Sequence, residues 1–421
     1  MATDRVAEQD QSAAPDPTAT SIELRPELTF FRLDDEMVVF SEATQCVVGF
    51  NAPAAFVLNA LREGKSPSEV AQTLASEGFA SPEEASDWVG RTLEAFQSQG
   101  LLVDGEPSAQ VQMEAAAGQR LGPSTRFTNM PPYAPFEPVA ERRYLLLDTC
   151  ALVRFASVEQ VPWVEAVVGH LATDDGAAPT VVLDIQFSKT PSGHFRSDIY
   201  LDGYPIQYVP RLSMLGPAVK GALWSPAVNT YDFFLCIHAG VVGRGERCIV
   251  LPAEAGSGKS SLTTALIHNG FRYFSDEAAL IDRNFRVAPV PLALCAKSTG
   301  WDLMARYYPD ISSLLVHGRE DGKLVRYLPP PPGAPKQPPV PASHIIFPRF
   351  EQDAPTRLTR VTRTEALGRL MGECLALRQR LDQDNIDRLV RWIAGIDCYE
   401  LIFSSLDEAV ELVAQLTDQT P

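Results

Sequence analysis

The feature that most constrains this chain is a small-residue octapeptide, Ala253 to Ser260 (AEAGSGKS), set between an apolar run and a helical run. Cys248 to Leu251 before it predicts a strand, and Ser260 to His268 after it predicts a helix that Gly270 ends. Glycines in such a loop let backbone N–H groups converge, and the N-terminus of the following helix favours an anion. The chain therefore contains a strand–loop–helix unit suited to phosphate.

The octapeptide matches the Walker A pattern, with Ala253 in place of the first glycine. Lys259 is predicted to reach the β- and γ-phosphates of a nucleotide, and the Ser260 hydroxyl to bind Mg²⁺. A glycine-rich turn without a ligand is the alternative, but the strand before and the helix after disfavour it. The predicted nucleotide-binding residues are Ala255, Gly256, Ser257, Gly258, Lys259, Ser260 and Ser261.

Two carboxylates and one histidine stand at intervals that suit this loop. A predicted strand, Phe271 to Phe274, ends in Ser275-Asp276-Glu277, where one carboxylate can face a metal and its neighbour an acceptor. A solvated acidic turn is the alternative. His238 lies in a predicted strand, Leu235 to Val242, where a lone histidine is usually a core residue. Its spacing to the loop favours a functional role.

Over about residues 235 to 285, the sequence resembles HPr kinase/phosphorylase and related kinase-like proteins. The resemblance rests on His238-Ala239-Gly240, on the Walker A loop and on Asp276-Glu277. It implies ATP and Mg²⁺ as cofactors, with Lys259 stabilising charge and Asp276 as a general base assisted by His238. It also implies that Ser260 and Glu277 form the magnesium side.

Two departures from that family limit what the resemblance carries over. Glu277 stands where the family has a second aspartate, and a Glu-x-Arg-Gly-x-Gly signature is missing from the sequence. Reversible phosphorolysis and the carrier protein HPr as substrate are therefore not inferred. Lys297 and Arg326 are either phosphate or substrate contacts, or solvated surface charges.

An N-terminal domain is predicted over residues 21–104, after a polar lead of residues 1–20 predicted to be disordered. Three short strands precede three helices, and Ser66-Pro67-Ser68-Glu69 and Ser81-Pro82-Glu83-Glu84 predict capping boxes at two helix starts. The pattern is typical of a winged-helix domain. The region resembles PqqD-like domains, which hold the leader peptides of ribosomally made, modified peptides. The quoted residues are Glu42 to Asn51, Ala52-Pro53-Ala54, Gly64 to Pro67 and Phe96 to Leu102.

The remaining chain divides into a proline-bearing linker over residues 105–140, a strand-rich lobe over 141–225 and a P-loop domain over 226–421. In the lobe, Tyr144 to Phe155 and Thr180 to Phe187 predict strands, with a helix at about Val158 to Leu171 between them. The predicted fold class is multi-domain α+β. It combines a PqqD-like winged-helix domain with an HPr-kinase-like α/β P-loop domain that carries the lobe.

The composition and charge of the chain exclude some classes of binding partner. A formal net charge of −17 argues against nucleic acid or an anionic membrane as the main partner. The sequence has no apolar run long enough to span a membrane and no hydrophobic signal core, so a cytoplasmic location is expected. The seven cysteines form no CxxC pair and the six histidines show no ligand spacing, so no structural metal is expected.

The first hypothesis is an ATP-dependent kinase that phosphorylates a hydroxyl, most simply of serine, on a precursor peptide held by residues 21–104. Tethering the peptide would raise its effective concentration at the P-loop. A second hypothesis is an ATP-binding regulatory or chaperone protein that presents the peptide to another enzyme. A third keeps the kinase chemistry but has a small-molecule or carboxylate acceptor. The N-terminal domain could instead be a packing or dimerisation module, and a homo-oligomer stays open.

Overall fold

The computed structural model describes residues 22–103, 130–174, 176, 178–189, 195–333 and 338–418. The predicted lead and most of the predicted linker lie outside these residues. The architecture is mixed α/β and contains several sheets. Across the described ranges, no helix is both long enough and apolar enough to cross a bilayer.

The N-terminal region is a three-stranded antiparallel sheet followed by three helices. The elements are β1 Leu28–Leu33, β2 Glu36–Ser41, β3 Cys46–Phe50, α1 Ala52–Arg62, α2 Pro67–Ser76 and α3 Pro82–Ser98. Both predicted capping boxes are confirmed. The Ser66 hydroxyl accepts the Glu69 N–H while the Glu69 carboxylate accepts the Ser66 N–H, and Ser81 and Glu84 repeat the arrangement. The proline after each serine has no N–H to leave unsatisfied.

This small sheet is covered on both faces. Since successive strand residues point to opposite faces, β2 divides its side chains between two cores. Met37 and Val39 pack with the three N-terminal helices, whereas Val38 and Phe40 pack with a core built from the C-terminal half of the chain. The strand order β1-β2-β3 leaves β1 and β3 as the edges of the sheet.

A five-stranded sheet in the order β4-β5-β6-β7-β8 forms the lobe, with two helices beside it. Its elements are β4 Ala140–Leu146, β5 Thr149–Phe155, β6 Val181–Lys189, β7 Phe195–Leu201, β8 Tyr204–Val209, α4 Val161–Val168 and α5 Leu215–Thr230, with 3-10 turns at Val158–Gln160, Gly169–Leu171 and Leu212–Met214. The linker residues next to it pack on this sheet, since the Tyr200 hydroxyl donates to the Pro131 carbonyl at 3.0 Å.

One sequence prediction for the lobe was wrong, and one helix was missed. Tyr144 to Phe155 is a hairpin of β4 and β5 instead of one strand, and the reversal occurs where Leu147 adopts a φ of 53°. The 16-residue helix α5 was not predicted. Lys220 lies on the buried face of α5 while Trp224 is only partly buried, and Pro226 lies inside the helix, so the sequence shows neither a clear amphipathic period nor an uninterrupted helical pattern.

The remaining chain builds a ten-stranded sheet, a small three-stranded sheet and five helices within its described residues. The strands are β9 Phe233–Ile237, β10 Ala239–Arg244, β11 Arg247–Pro252, β12 Arg272–Ser275, β13 Ala279–Asp282, β14 Arg286–Ala288, β15 Leu294–Lys297, β16 His317–Gly318, β17 Leu324–Leu328, β18 Val340–Phe350, β19 Arg357–Arg360, β20 Cys374–Leu377 and β21 Asp397–Phe403. The helices are α6 Lys259–His268, α7 Trp301–Met304, α8 Arg363–Gly372, α9 Gln383–Ala394 and α10 Leu406–Asp418, with 3-10 turns at Ser298–Gly300 and Pro309–Ser313.

The large sheet runs in the order β12-β10-β11-β18-β14-β13-β9-β20, with β21 beside β18 and β19 beside β21. β18 lies between β11 and β21 and runs parallel to both, whereas β10 is antiparallel to β11. The small sheet has the order β15-β17-β16. Side chains from the lobe and from this region share one core, in which Val153 and Val219 are clustered with Phe233 and Leu280.

The predicted single strand Leu235 to Val242 was wrong in a way that concerns the site. The strand is interrupted at His238. β9, before it, pairs with β13 and β20, whereas β10, after it, pairs with β11 and β12. The His238 N–H donates to the Glu373 carbonyl at 2.8 Å. The break takes His238 out of the regular alternation of a strand.

Candidate functional site

The loop between β11 and α6 requires glycine at two positions. Gly256 has a φ of 104° and Gly258 a φ of 85°, a region that side chains disfavour. At Gly258, a Cβ would also lie 2.8 Å from Cζ of Phe403. Gly258 is the residue before α6 and has no side chain to cap the first helical N–H groups. The start of this helix therefore offers N–H donors to an external anion.

The loop is held from both ends. The Ser257 hydroxyl donates to the Glu254 carbonyl at 2.9 Å, and the Phe350 N–H donates to the Ser257 carbonyl at 2.9 Å. Behind the loop, β10 approaches α6 closely, because a Cβ on Gly240 would lie 2.5 Å from Oγ1 of Thr263. Gly240 thus allows the strand that follows His238 to pass directly against the helix that begins with Lys259.

A cavity of about 230 Å³ opens at the start of α6. All the predicted site residues except Ser257 line it, together with two cations, Lys297 and Arg319. The predicted residues in its wall are His238, Ala255, Gly256, Gly258, Lys259, Ser260, Ser261, Asp276 and Glu277. Arg326, the other cation singled out in the sequence, lies elsewhere: it stacks over Trp301 at 4.0 Å and donates to the Ser312 carbonyl.

Lys259 is buried and bonded to an imidazole. Only 6% of the residue is exposed, and its Nζ lies 2.7 Å from Nε2 of His238 and 3.3 Å from the Ala253 carbonyl oxygen. Burial lowers the pKa of Lys259 to about 8, although the carboxylates of Asp276 and Glu373 favour the charged form. Burial and the neighbouring Lys259 charge also lower the pKa of His238.

Asp276 is a buried acid with one oxygen unsatisfied. The residue is 7% exposed, and Oδ1 has no hydrogen-bond partner among the described residues. Burial raises the pKa of Asp276 to about 6, against the opposing effects of the Lys259 charge and a hydrogen bond with the Ser260 side chain. A buried carboxyl with an unmet acceptor is costly to keep, which marks it as a functional candidate.

Glu277 pairs with Lys220, whereas the neighbouring Asp276 bonds with the Ser260 side chain. Lys220 of helix α5 binds Oε2 of Glu277 directly. Burial favours the neutral form of Glu277, but the Lys220 charge outweighs it and lowers the pKa. In Lys220, burial is likewise outweighed by the Glu277 charge, so its pKa is raised. The pair ties the lobe to the wall of the cavity.

Three residues at the site were not predicted from the sequence. Lys220 comes from α5, Glu373 contacts His238 Nδ1 through Oε2 at 3.2 Å, and Arg319 lines the cavity with its Nε 3.4 Å from Asp321 Oδ1. Lys220 and Glu373 stand 57 and 135 positions from the residues they contact. Neither belongs to a recognisable motif, so only pairing across the fold reveals them.

Comparisons with known proteins add little to this geometry. The chain matches no protein-family profile, and no curated protein matches it. Among solved structures, one match is to "TbiB1 in Complex with the TbiA(beta) Leader Peptide", with 21% sequence identity, 20% of this chain and 98% of that chain covered, and a TM-score of 0.19. A TM-score of this size does not establish a shared fold.

Proposed function

We propose that this chain is an ATP-dependent kinase of the HPr-kinase-like P-loop type, which phosphorylates a hydroxyl of a ribosomally made precursor peptide. One observation carries the proposal: Lys259, Ser260 and Asp276 line the same cavity at the N-terminus of α6. A buried cation, a hydroxyl and a buried acid at a helix start form the set of groups that phosphoryl transfer uses.

Lys259 supplies the positive charge. Its ammonium donates to His238 Nε2, a neutral acceptor that is weaker than a phosphate oxygen. An ammonium has three donors, so others remain to bind phosphate oxygens. Because Lys259 is buried, its charge is poorly screened by water and stabilises the negative charge that grows on the transferred group.

Asp276 takes the proton. With its pKa raised to about 6, the carboxyl is ionised near neutral pH and still basic enough to act as a general base. The acceptor hydroxyl loses its proton to Asp276 as its oxygen forms a bond to the γ-phosphorus. The bond from that phosphorus to the β,γ-bridging oxygen breaks, and ADP leaves.

The residues present fit a magnesium ion, because Ser260 and Glu277 line the same cavity and both carry the hard oxygen donors that this ion prefers. Ser260 and Glu277 are the proposed ligands, with Lys220 holding Glu277 in place through Oε2. When bound, magnesium would neutralise phosphate charge.

The N-terminal domain is proposed to hold the peptide as an added strand. Both faces of its sheet are covered, so its edges are the places where an extended peptide can form backbone hydrogen bonds. Phe50 of β3 packs in the core against Phe96 of α3 with ring centroids 5.0 Å apart, which places α3 beside this strand. Trp88 and Leu93 of α3 are only half-buried and offer apolar contacts to a leader peptide.

Labelled phosphate decides between the kinase and its alternatives. The purified protein is incubated with magnesium, γ-labelled ATP and a short peptide encoded beside the gene. We expect acid-stable label on the peptide, and its loss in Asp276→Asn but not in the exposed control Asp87→Asn. ATP binding without transfer would support the presenting role instead, and acid-labile label would indicate a carboxylate acceptor.

A further inference from the structure

Glu373 holds His238 through two separate contacts. It follows α8 as the cap residue and directly precedes β20, which pairs with β9. The Glu373 backbone carbonyl accepts the His238 N–H at 2.8 Å, and the carboxylate oxygen Oε2 lies 3.2 Å from His238 Nδ1. The Glu373 side chain is 17% exposed and the His238 side chain 31% exposed, so both are largely shielded from water. The backbone contact fixes where the ring stands, and the carboxylate fixes how it is turned.

The two partners of the imidazole determine where its proton lies. A carboxylate only accepts hydrogen bonds, and an ammonium only donates them. Glu373 stands at Nδ1, and Lys259 Nζ stands 2.7 Å from Nε2. A neutral ring satisfies both only when it carries its proton on Nδ1.

We infer that Glu373 is a positioning residue that fixes His238 in the Nδ1–H tautomer and thereby presents the Nε2 lone pair to the phosphate cavity. The inference rests on the proposed function, because it assigns that lone pair to the same site. The lone pair accepts one N–H of the Lys259 ammonium and thereby orients it. Other donors of the ammonium remain for phosphate oxygens.

The charges around His238 set the expected effect of removing Glu373. Burial and Lys259 favour the neutral ring, whereas Glu373 and, more distantly, Glu277 favour the protonated ring. Without the Glu373 charge, the remaining groups favour the neutral form more strongly. The titration midpoint of His238 should therefore fall when Glu373 is neutralised.

The test uses the full chain without nucleotide, labelled with ¹⁵N-histidine, and records two-bond ¹H–¹⁵N correlations at pH 7, where Lys259 is still mainly charged and the His238 ring mainly neutral. The wild-type His238 ring should show the Nδ1–H tautomer. Glu373→Gln, which keeps an acceptor oxygen, should keep the tautomer and lower the His238 midpoint by about one pH unit. Glu373→Leu, which removes the acceptor, should give a mixture of tautomers. The matched control is Glu400→Gln, a half-buried glutamate paired with Arg369 of α8.

An Nε2–H tautomer in the wild type would overturn the inference, as would a Glu373→Gln midpoint equal to that of the wild type. If Glu373→Leu fails to fold, the wild-type tautomer and the glutamine variant still decide. Mg-ATP binding is measured separately by calorimetry, so a failure of the proposed function is distinguishable from these spectra. If ATP binds, Glu373→Gln should lower kcat roughly tenfold and leave the KM for ATP within about twofold.

Discussion

The pKa values of carboxyl groups are shifted in opposite directions in two regions of the molecule. Glu69 and Glu84 begin exposed helices in the N-terminal domain, where hydrogen bonds from the backbone and hydroxyl groups of Ser66 and Ser81 lower their pKa values. Asp276 is enclosed in the cavity wall, where burial raises its pKa to about 6. The same chemical group thus has a lowered pKa in the N-terminal domain and a raised pKa in the cavity wall.

The difference teaches how each region is built. In the N-terminal helices each capping serine is satisfied by a glutamate three positions later. At the cavity, charged groups depend on partners from distant elements, as the buried Lys220 depends on Glu277. Local contacts satisfy polar groups and stabilise, whereas the cavity keeps groups whose burial is unfavourable. Such local departures from stability are expected where a protein carries out chemistry.

The largest expected effect concerns Lys259. Lys259→Met removes the buried cation and should lower phosphoryl transfer at least 10³-fold, because a positioned charge in a water-poor site is hard to replace. Transfer from γ-labelled ATP measures the change. The control is Lys65→Met, a partly exposed lysine of the N-terminal domain that pairs with Glu63. Wild-type turnover by Lys259→Met would contradict a role for the buried Lys259 charge in phosphoryl transfer.

Replacing Asp276 should stabilise the fold at high pH. A carboxyl whose folded pKa is raised from 3.8 to about 6 binds more protons in the folded state, so the free energy of unfolding falls as pH rises between those values. Asp276→Asn avoids this loss and should be more stable than the wild type by about 2 kcal/mol at pH 8, with little difference at pH 4. Chemical denaturation at both pH values measures it. A pH-independent difference would contradict the raised pKa.

The capping serines should show a smaller and local effect. Ser66→Ala and Ser81→Ala each remove an acceptor for a helix-start N–H and should lower stability by about 1 kcal/mol. Ser76→Ala, whose hydroxyl donates to the Thr73 carbonyl late in α2, is the matched control and should change stability less. Urea midpoints report the loss, and ATP binding should stay unchanged. A change in ATP affinity would show that the N-terminal helices are energetically coupled to the cavity.

The smallest effect is expected where the N-terminal domain meets α8. Arg363 pairs with Asp34 at 2.9 Å, but the Asp34 side chain is 57% exposed. Asp34→Asn should therefore cost about 0.5 kcal/mol and less at high salt, because exposed ion pairs are screened. A double-mutant cycle with Arg363→Gln isolates the pair. A coupling near 3 kcal/mol would mean that this contact, more than the shared apolar core, joins the two regions.

Much of the local structure follows from the sequence. The predicted strands of the N-terminal domain, its two capping boxes and the strand–loop–helix around Lys259 are all present, because each depends on residues within a few positions of one another. The hairpin at Leu147 and helix α5 were not predicted. The first depends on one residue adopting a left-handed φ, and the second has a lysine on its buried face and a proline inside it, which obscure the helical pattern.

The sequence by itself determined that a lysine and a hydroxyl would stand at a helix start, because both belong to one short motif, and it predicted an acid nearby. The tertiary structure decided their state. Folding broke the strand at His238, enclosed Asp276 and brought Glu373 and Lys220 to the cavity from remote positions. Burial and long-range contacts set charge and orientation, and both depend on packing that no short stretch of sequence encodes.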